Sequence, residues 1–158
     1  VMLAKEVTGR LSLDAGDVTR SSFSLQVNAA AFDVDPPAER EKAGFHSELT
    51  AGNRQSIQEA MSGPQVLDVA KFPAITAVSE RVTGRQPDLI VEMRVKIRDR
   101  EQVVKVPAKV VVALDHVQAS GSFELLQSSF GITPYETLMG AIAVQDKIVV
   151  QFNILAVP

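Results

Sequence analysis

The closing stretch Ile142-Ala143-Val144-Gln145-Asp146-Lys147-Ile148-Val149-Val150-Gln151-Phe152-Asn153-Ile154-Leu155 decides how the chain folds. Ile142, Val144, Ile148, Val150, Phe152 and Ile154 fall on one face of an extended strand, with Asp146 the single exception. Gln145, Lys147, Gln151 and Asn153 fall on the other. Such two-residue alternation marks a strand with one buried face.

Working outward, the same period recurs. Leu89, Val91, Met93, Val95 and Ile97 alternate with Glu92, Arg94, Lys96 and Arg98, and Phe23, Leu25, Val27 and Ala29 alternate with Ser22, Ser24, Gln26 and Asn28. Val7, Gly9, Leu11 and Leu13 oppose Glu6, Thr8, Arg10 and Ser12; Val117, Ala119, Gly121, Phe123 and Leu125 oppose Gln118, Ser120, Ser122 and Glu124. Val104, Val106, Val110, Val112 and Leu114 alternate with Lys105 and Lys109, and Pro107 among them predicts an edge position or a bulge, since proline has no N–H for the ladder. Ile75 to Val82 reads as a further strand whose faces the pattern does not assign.

Short turn signals join these segments: 14–17, 84–88, 99–101 and 115–116. Short connections favour antiparallel neighbours, because a parallel crossover needs a dozen residues or more. One longer excursion, from Phe32 to Phe72, holds Asp35-Pro36-Pro37, the mixed-charge run Glu39-Arg40-Glu41-Lys42, and a helix-forming stretch from Thr50 to Met61 with Thr50 as its cap. The charge run reads as a solvated face. No repeat, linker or low-complexity tract interrupts the chain, so 1–158 reads as one domain. Seven or more antiparallel strands must manage their edges; closing into a barrel does so, and a two-sheet sandwich fits the pattern as well. About eight strands would leave room for one small ligand or for a plug of side chains. Aromatic residues are 5% and tryptophan is absent, so medium-sized aliphatics dominate the inward faces.

Composition excludes several functions. The net charge of −3 offers no basic surface for a phosphate backbone, so nucleic acid is not expected as a partner. Without cysteine there are no disulfides, thiolate metal sites or thiol nucleophiles. No run approaches the ~18 apolar residues of a membrane helix. The start, Val1-Met2-Leu3-Ala4-Lys5, has no initiating methionine and no export signal, which implies that something upstream was removed.

The candidates for chemistry are few. His46 and His116 lack a partner at metal-ligand spacing and read as solvated. Asp33 and Asp35 would share a face of an extended segment and could act as an acid–base pair, or could be turn residues before Pro36-Pro37. Asp146 marks a bulge, a rim position or a polar contact for a ligand head group. No nucleophile, base and orienting partner come together, so no catalytic residue, metal or cofactor is expected.

The late segments resemble a known family. Phe72-Pro73-Ala74-Ile75-Thr76-Ala77-Val78-Ser79, with Leu67-Asp68-Val69-Ala70 before it, is similar to the "[YF]-P-x-I-x-F-x-S" stretch of the YceI-like family, lipocalin-like proteins associated with polyisoprenoid binding. Phe123-Glu124-Leu125-Leu126-Gln127-Ser128-Ser129-Phe130-Gly131-Ile132 resembles its "F-x-x-x-R-S-D-F-G-I", and Val144-Gln145-Asp146-Lys147-Ile148 its "V-x-D-x-V" ending. Val106-Pro107 matches a proline common in the middle strands. Gln127 and Ser129 replace the usual arginine and aspartate, and Ala77 the usual phenylalanine. The family's first strand normally precedes the position of Val1, so the chain reads as N-terminally truncated.

The resemblance implies an eight-stranded antiparallel barrel, export to the periplasm or beyond, and an isoprenoid quinone or similar lipid inside the lumen. The expected lining is Phe23, Leu25, Val27, Leu89, Val91, Met93, Val95, Phe123, Leu125, Ile148, Val150 and Phe152, with Phe72, Phe130, Ile132, Tyr135 and Met139 closing or flanking one end. Burying one CH₂ contributes about 0.8 kcal/mol, or roughly 3–4 kcal/mol per prenyl unit. Association costs an estimated 4–15 kcal/mol, so a long chain is needed. The alternative is an interaction module with a filled barrel that acts through the excursion 32–72. The last strand, if exposed, is available to pair in a homodimer.

Overall fold

The computed structural model describes residues 1–134, 136–137 and 142–158, and only the backbone at 136–137 and 142–143. Its strands are β1 (Met2–Ala4), β2 (Val7–Ser12), β3 (Ser22–Asn28), β4 (Phe32–Val34), β5 (Ala74–Arg85), β6 (Asp88–Ile97), β7 (Arg100–Val112), β8 (Val117–Leu126), β9 (Glu136–Thr137), β10 (Ile142–Ala143) and β11 (Lys147–Ala156). Seven of them form one antiparallel sheet in the order β11-β8-β7-β6-β5-β3-β2, which curls into a half-barrel. β1 pairs with β4, and β9 with β10, in two separate two-stranded antiparallel sheets. The expected antiparallel, lipocalin-like architecture is therefore present. Among the described residues β2 and β11 each have one neighbour in the large sheet, so the curl has two edges.

The alternation sets the faces. β6 is buried at Leu89, Val91, Met93, Val95 and Ile97, each at most 8% exposed, while its charged residues face outward. β5 keeps step only through an irregularity: Ser79 pairs with Met93 and Arg81 with Glu92, leaving Glu80 as an extra residue. That bulge shifts the face by one, which puts Val82 on the same side as Ile75 and Ala77. It explains why simple alternation did not assign this strand.

Three expectations need correction. The run from Ile142 to Leu155 is not one strand: Val144, Gln145 and Asp146 form a bend before β11 begins at Lys147. Leu114 is not in β7 but fully exposed in the β7–β8 turn. Pro107 lies in an interior strand, opposite Ile90 of β6. Its missing N–H is tolerated because the β7–β8 ladder starts only at Ala108, opposite Gly121, leaving the Pro107 side toward β8 unpaired. Gly121 is required there: a Cβ would come within 2.3 Å of the Pro107 carbonyl oxygen and 2.7 Å of the Phe152 ring.

The excursion from Phe32 to Phe72 contains β4 and two helices, α1 (Pro37–Lys42) and α2 (Ala51–Ser62). The Thr50 side chain caps α2 by accepting from the Asn53 N–H at 3.1 Å, as the sequence predicts. α1 was hidden because its charge run reads as a solvated face. Pro37 opens it at a first-turn position, and Lys42 pairs with Glu39 at 2.7 Å. Arg40 departs from that reading: it is nearly buried, pairs with Asp35 at 3.2 Å, donates to the Ser47 carbonyl and hydroxyl at 2.9 Å, and lies over the Phe45 ring. Val34, Met61 and Leu67 carry the excursion into the core beside the sheet.

Candidate functional site

Register turns the separate alternations into one surface, because residues directly opposite on antiparallel strands share a face. One row runs Gly9, Leu25, Ala77, Val95; the next runs Val7, Val27, Ile75. Farther along the sheet, Leu89, Ala108, Gly121 and Phe152 form a row, and Phe123–Val150 and Leu125–Ile148 form two more across β8 and β11. All lie on the concave side. The result is an apolar wall of aliphatic side chains with the ring pair Phe123–Phe152, whose centroids are 6.4 Å apart.

The wall divides by depth. Leu89, Val91, Met93, Val95 and Leu125 are buried within the core cluster, as are Phe130 at 1% and Ile132 at 3% exposure. Phe23, Leu25 and Val27 on β3, Phe123 on β8, and Ile148, Val150 and Phe152 on β11 are only half-buried. Phe72 is half-buried beside Lys71, whose ammonium group lies over its ring. Tyr135 and Met139 lie outside the described residues. Ile75, Ala77, Ala119 and Ile154 also face the trough and are half-buried; the β5 bulge concealed the first two.

Charge stays on the convex side. Glu92 pairs with Lys105, Arg94 with Glu80 and Glu101, and Lys147 with Glu124. A hollow of about 360 Å³ lined by Thr76, Val78, Glu80, Arg94, Lys96 and Glu101 lies among these outward residues. A second, of about 230 Å³, lies between β4 and α2 and is lined mostly by polar groups. Neither has the chemistry of the trough.

The carboxylates singled out as possible acids or bases have other partners. Asp33 pairs with Lys5 at 2.8 Å and Asp35 with Arg40, so two different cations engage them. Asp146 sits at the bend before β11. Its carboxylate accepts from the Ser128 N–H at 2.7 Å and the Ser128 hydroxyl at 2.6 Å, and its carbonyl accepts from the Gln127 N–H. These bonds to the charged form, the Ser128 hydroxyl first, hold its pKa below the usual aspartate value. Asp146 thus fastens the short 3₁₀ turn Gln127–Phe130, which delivers Phe130 into the core. Gln127, where the family pattern has arginine, donates to the Gln145 carbonyl at 2.8 Å across the same bend. His116 contacts Asp115 at 2.7 Å and His46 is exposed. Among the described residues no three His, Cys, Asp or Glu side chains gather to hold a metal, and no helix is long and apolar enough to cross a membrane.

The YceI-like domain model matches residues 3–156, nearly the whole chain. The chain belongs to the YceI-like family. Among solved structures it is similar to BcnA of Burkholderia cenocepacia, with a TM-score of 0.75 at 16% identity over 98% of this chain and 86% of that one. It is also similar to the YCEI protein of Campylobacter jejuni, with a TM-score of 0.73 at 10% identity over 100% of this chain and 84% of that one. At such identities the likeness concerns the fold. No curated protein matches the sequence.

Proposed function

We propose that this YceI-like protein binds and carries a long apolar molecule, an isoprenoid quinone or a similar lipid, along the concave face of its sheet in the periplasm. One observation carries the reading: the inward residues of β3 and β11, and of β8 as far as Phe123, are apolar yet only half-buried, with β8 and β11 in register along their length. A hydrocarbon chain laid against Phe23, Leu25, Val27, Phe123, Val150 and Phe152 would remove that surface from water. The gain is roughly 25 cal/mol for each Å² of apolar area covered. The buried row of β6 supplies a stiff floor, and Phe130 and Ile132 close one end. Asp33, Asp35 and Asp146 each have a structural partner, which favours binding over catalysis.

Native mass spectrometry after gentle purification tests this. The expected spectrum contains a co-purifying lipid, or an added prenyl quinone taken up in defined stoichiometry. Val150→Asp, a charge set in the exposed part of the wall, should abolish uptake while leaving the fold intact by circular dichroism. Absence of both bound lipid and quinone uptake in the unsubstituted protein sinks the carrier reading.

A further inference from the structure

From Lys105 to Val110, β7 alternates as a half-buried strand should: Lys105, Pro107 and Lys109 are exposed, while Val106, Ala108 and Val110 are buried. Over its last residues that alternation ends. Val111 is 50% exposed on the outward face and Val112 48% on the inward one; Ala113 and the fully exposed Leu114 follow in the turn. Val112 and Val117 form the last rung of the hairpin, and the Ala113 N–H closes the turn on the His116 carbonyl at 2.9 Å by main chain alone. β7 and β8 are interior strands, so nothing that joins the sheet at an edge pairs with this hairpin. Four consecutive exposed apolar residues at a stiff tip mark a contact with an apolar partner.

The charges beside the tip fit one partner. Arg85, Asp88 and Lys109 form a cross-strand row, two cations to one carboxylate. Three residues separate Lys109 from Val112, about 10 Å at the rise of a strand. The carboxylate of the turn, Asp115, is engaged by His116 at 2.7 Å. The β2–β3 turn at the same end is acidic, with Asp14 and Asp17 around Arg20, but β3 stands three strands from β7. We propose that the β7–β8 hairpin docks the protein on a lipid bilayer. Val111, Val112 and Leu114 enter the acyl side of the interface, and Arg85 and Lys109 meet the phosphates at its surface. Val112 also ends the inward file Val106, Ala108 and Val110, so the docked tip joins the acyl region to the concave wall. Loading from the membrane rests on the carrier reading; docking itself does not.

The protein has no tryptophan, so Leu114→Trp introduces a single reporter. With vesicles of phosphatidylethanolamine and phosphatidylglycerol its emission should shift to the blue and be quenched by brominated acyl chains. Val103→Trp, exposed on the outward face of the same strand toward its other end, should do neither. Leu114→Asp should lower vesicle affinity about tenfold in co-sedimentation, since it removes the largest apolar side chain of the tip. Its fold by circular dichroism and its uptake of detergent-dispersed prenyl quinone should match the parent protein. An unshifted Leu114→Trp, or undiminished affinity in Leu114→Asp, overturns the proposal. A shift that appears without vesicles as protein concentration rises assigns the tip to a second copy and overturns it too. Docking without quinone uptake supports the proposal and sinks the carrier reading alone.

Discussion

β6 and β11 are both ten residues long and carry the same alternation, yet they live in different surroundings. β6 has β5 on one side and β7 on the other, and its inward side chains are buried. Among the described residues β11 has only β8 beside it, and its inward side chains are half-exposed. Burial of a strand residue depends on its own pattern and also on how many neighbours the sheet supplies. A strand flanked on both sides builds core. A strand flanked on one side leaves an open wall, and that is where a ligand can add contact.

Mutation can break that contrast. The largest expected effect lies at Phe130, the most deeply buried large side chain among the described residues: Phe130→Ala should cost about 3–5 kcal/mol. Urea unfolding reads this directly. Next, Leu89→Ala on β6 should cost about 2–5 kcal/mol, because it leaves a cavity in packed core. The matching Val150→Ala on β11 should cost only about 1 kcal/mol, part of the transfer free energy of a half-exposed valine. Equal losses in the two strands would refute the distinction between core and wall.

Gly121→Ala probes the junction between the two regions. The added methyl meets the Pro107 carbonyl and the Phe152 ring, and relieving that overlap should cost about 1–3 kcal/mol. A double variant with Phe152→Leu should recover part of the loss, measured again by urea midpoint.

The smallest effect concerns pH. Asp146 has a folded pKa below its ordinary value of 3.8, because its charged form accepts the Ser128 bonds. Its contribution is therefore complete above the unfolded value and lost as pH falls through the lower, folded one. Asp146→Asn should lower the urea midpoint near neutral pH and converge with the parent protein in acid. A gap that stays constant down to strongly acidic pH would mean that Ser128 does not draw on the charge.

Much of this was legible along the chain, and the exceptions have specific causes. Six strands showed themselves by period, and Thr50 announced the start of α2. β5 gave an ambiguous pattern because one extra residue at Glu80 moves its faces by one. α1 looked like a solvated charge run, since nothing local reveals that Arg40 reaches Asp35 and Ser47. Asp146 read as a bulge, a rim position or a ligand contact within an apolar face, and the bend at 144–146 takes it out of the strand. The apolar wall was legible as a set of residues, but its division into a buried floor and a half-exposed flank was not.

In the strands without a bulge the sequence by itself determined which residues share a face, since a side chain's side of a strand follows from counting by two. It also determined that the connections are antiparallel, since turns this short leave no room for a crossover. Only the tertiary structure decided the order of the strands, the location of the two edges, and hence which equally apolar positions are packed and which remain open. Those outcomes depend on contacts between residues far apart in the chain, whose pairing no local period encodes.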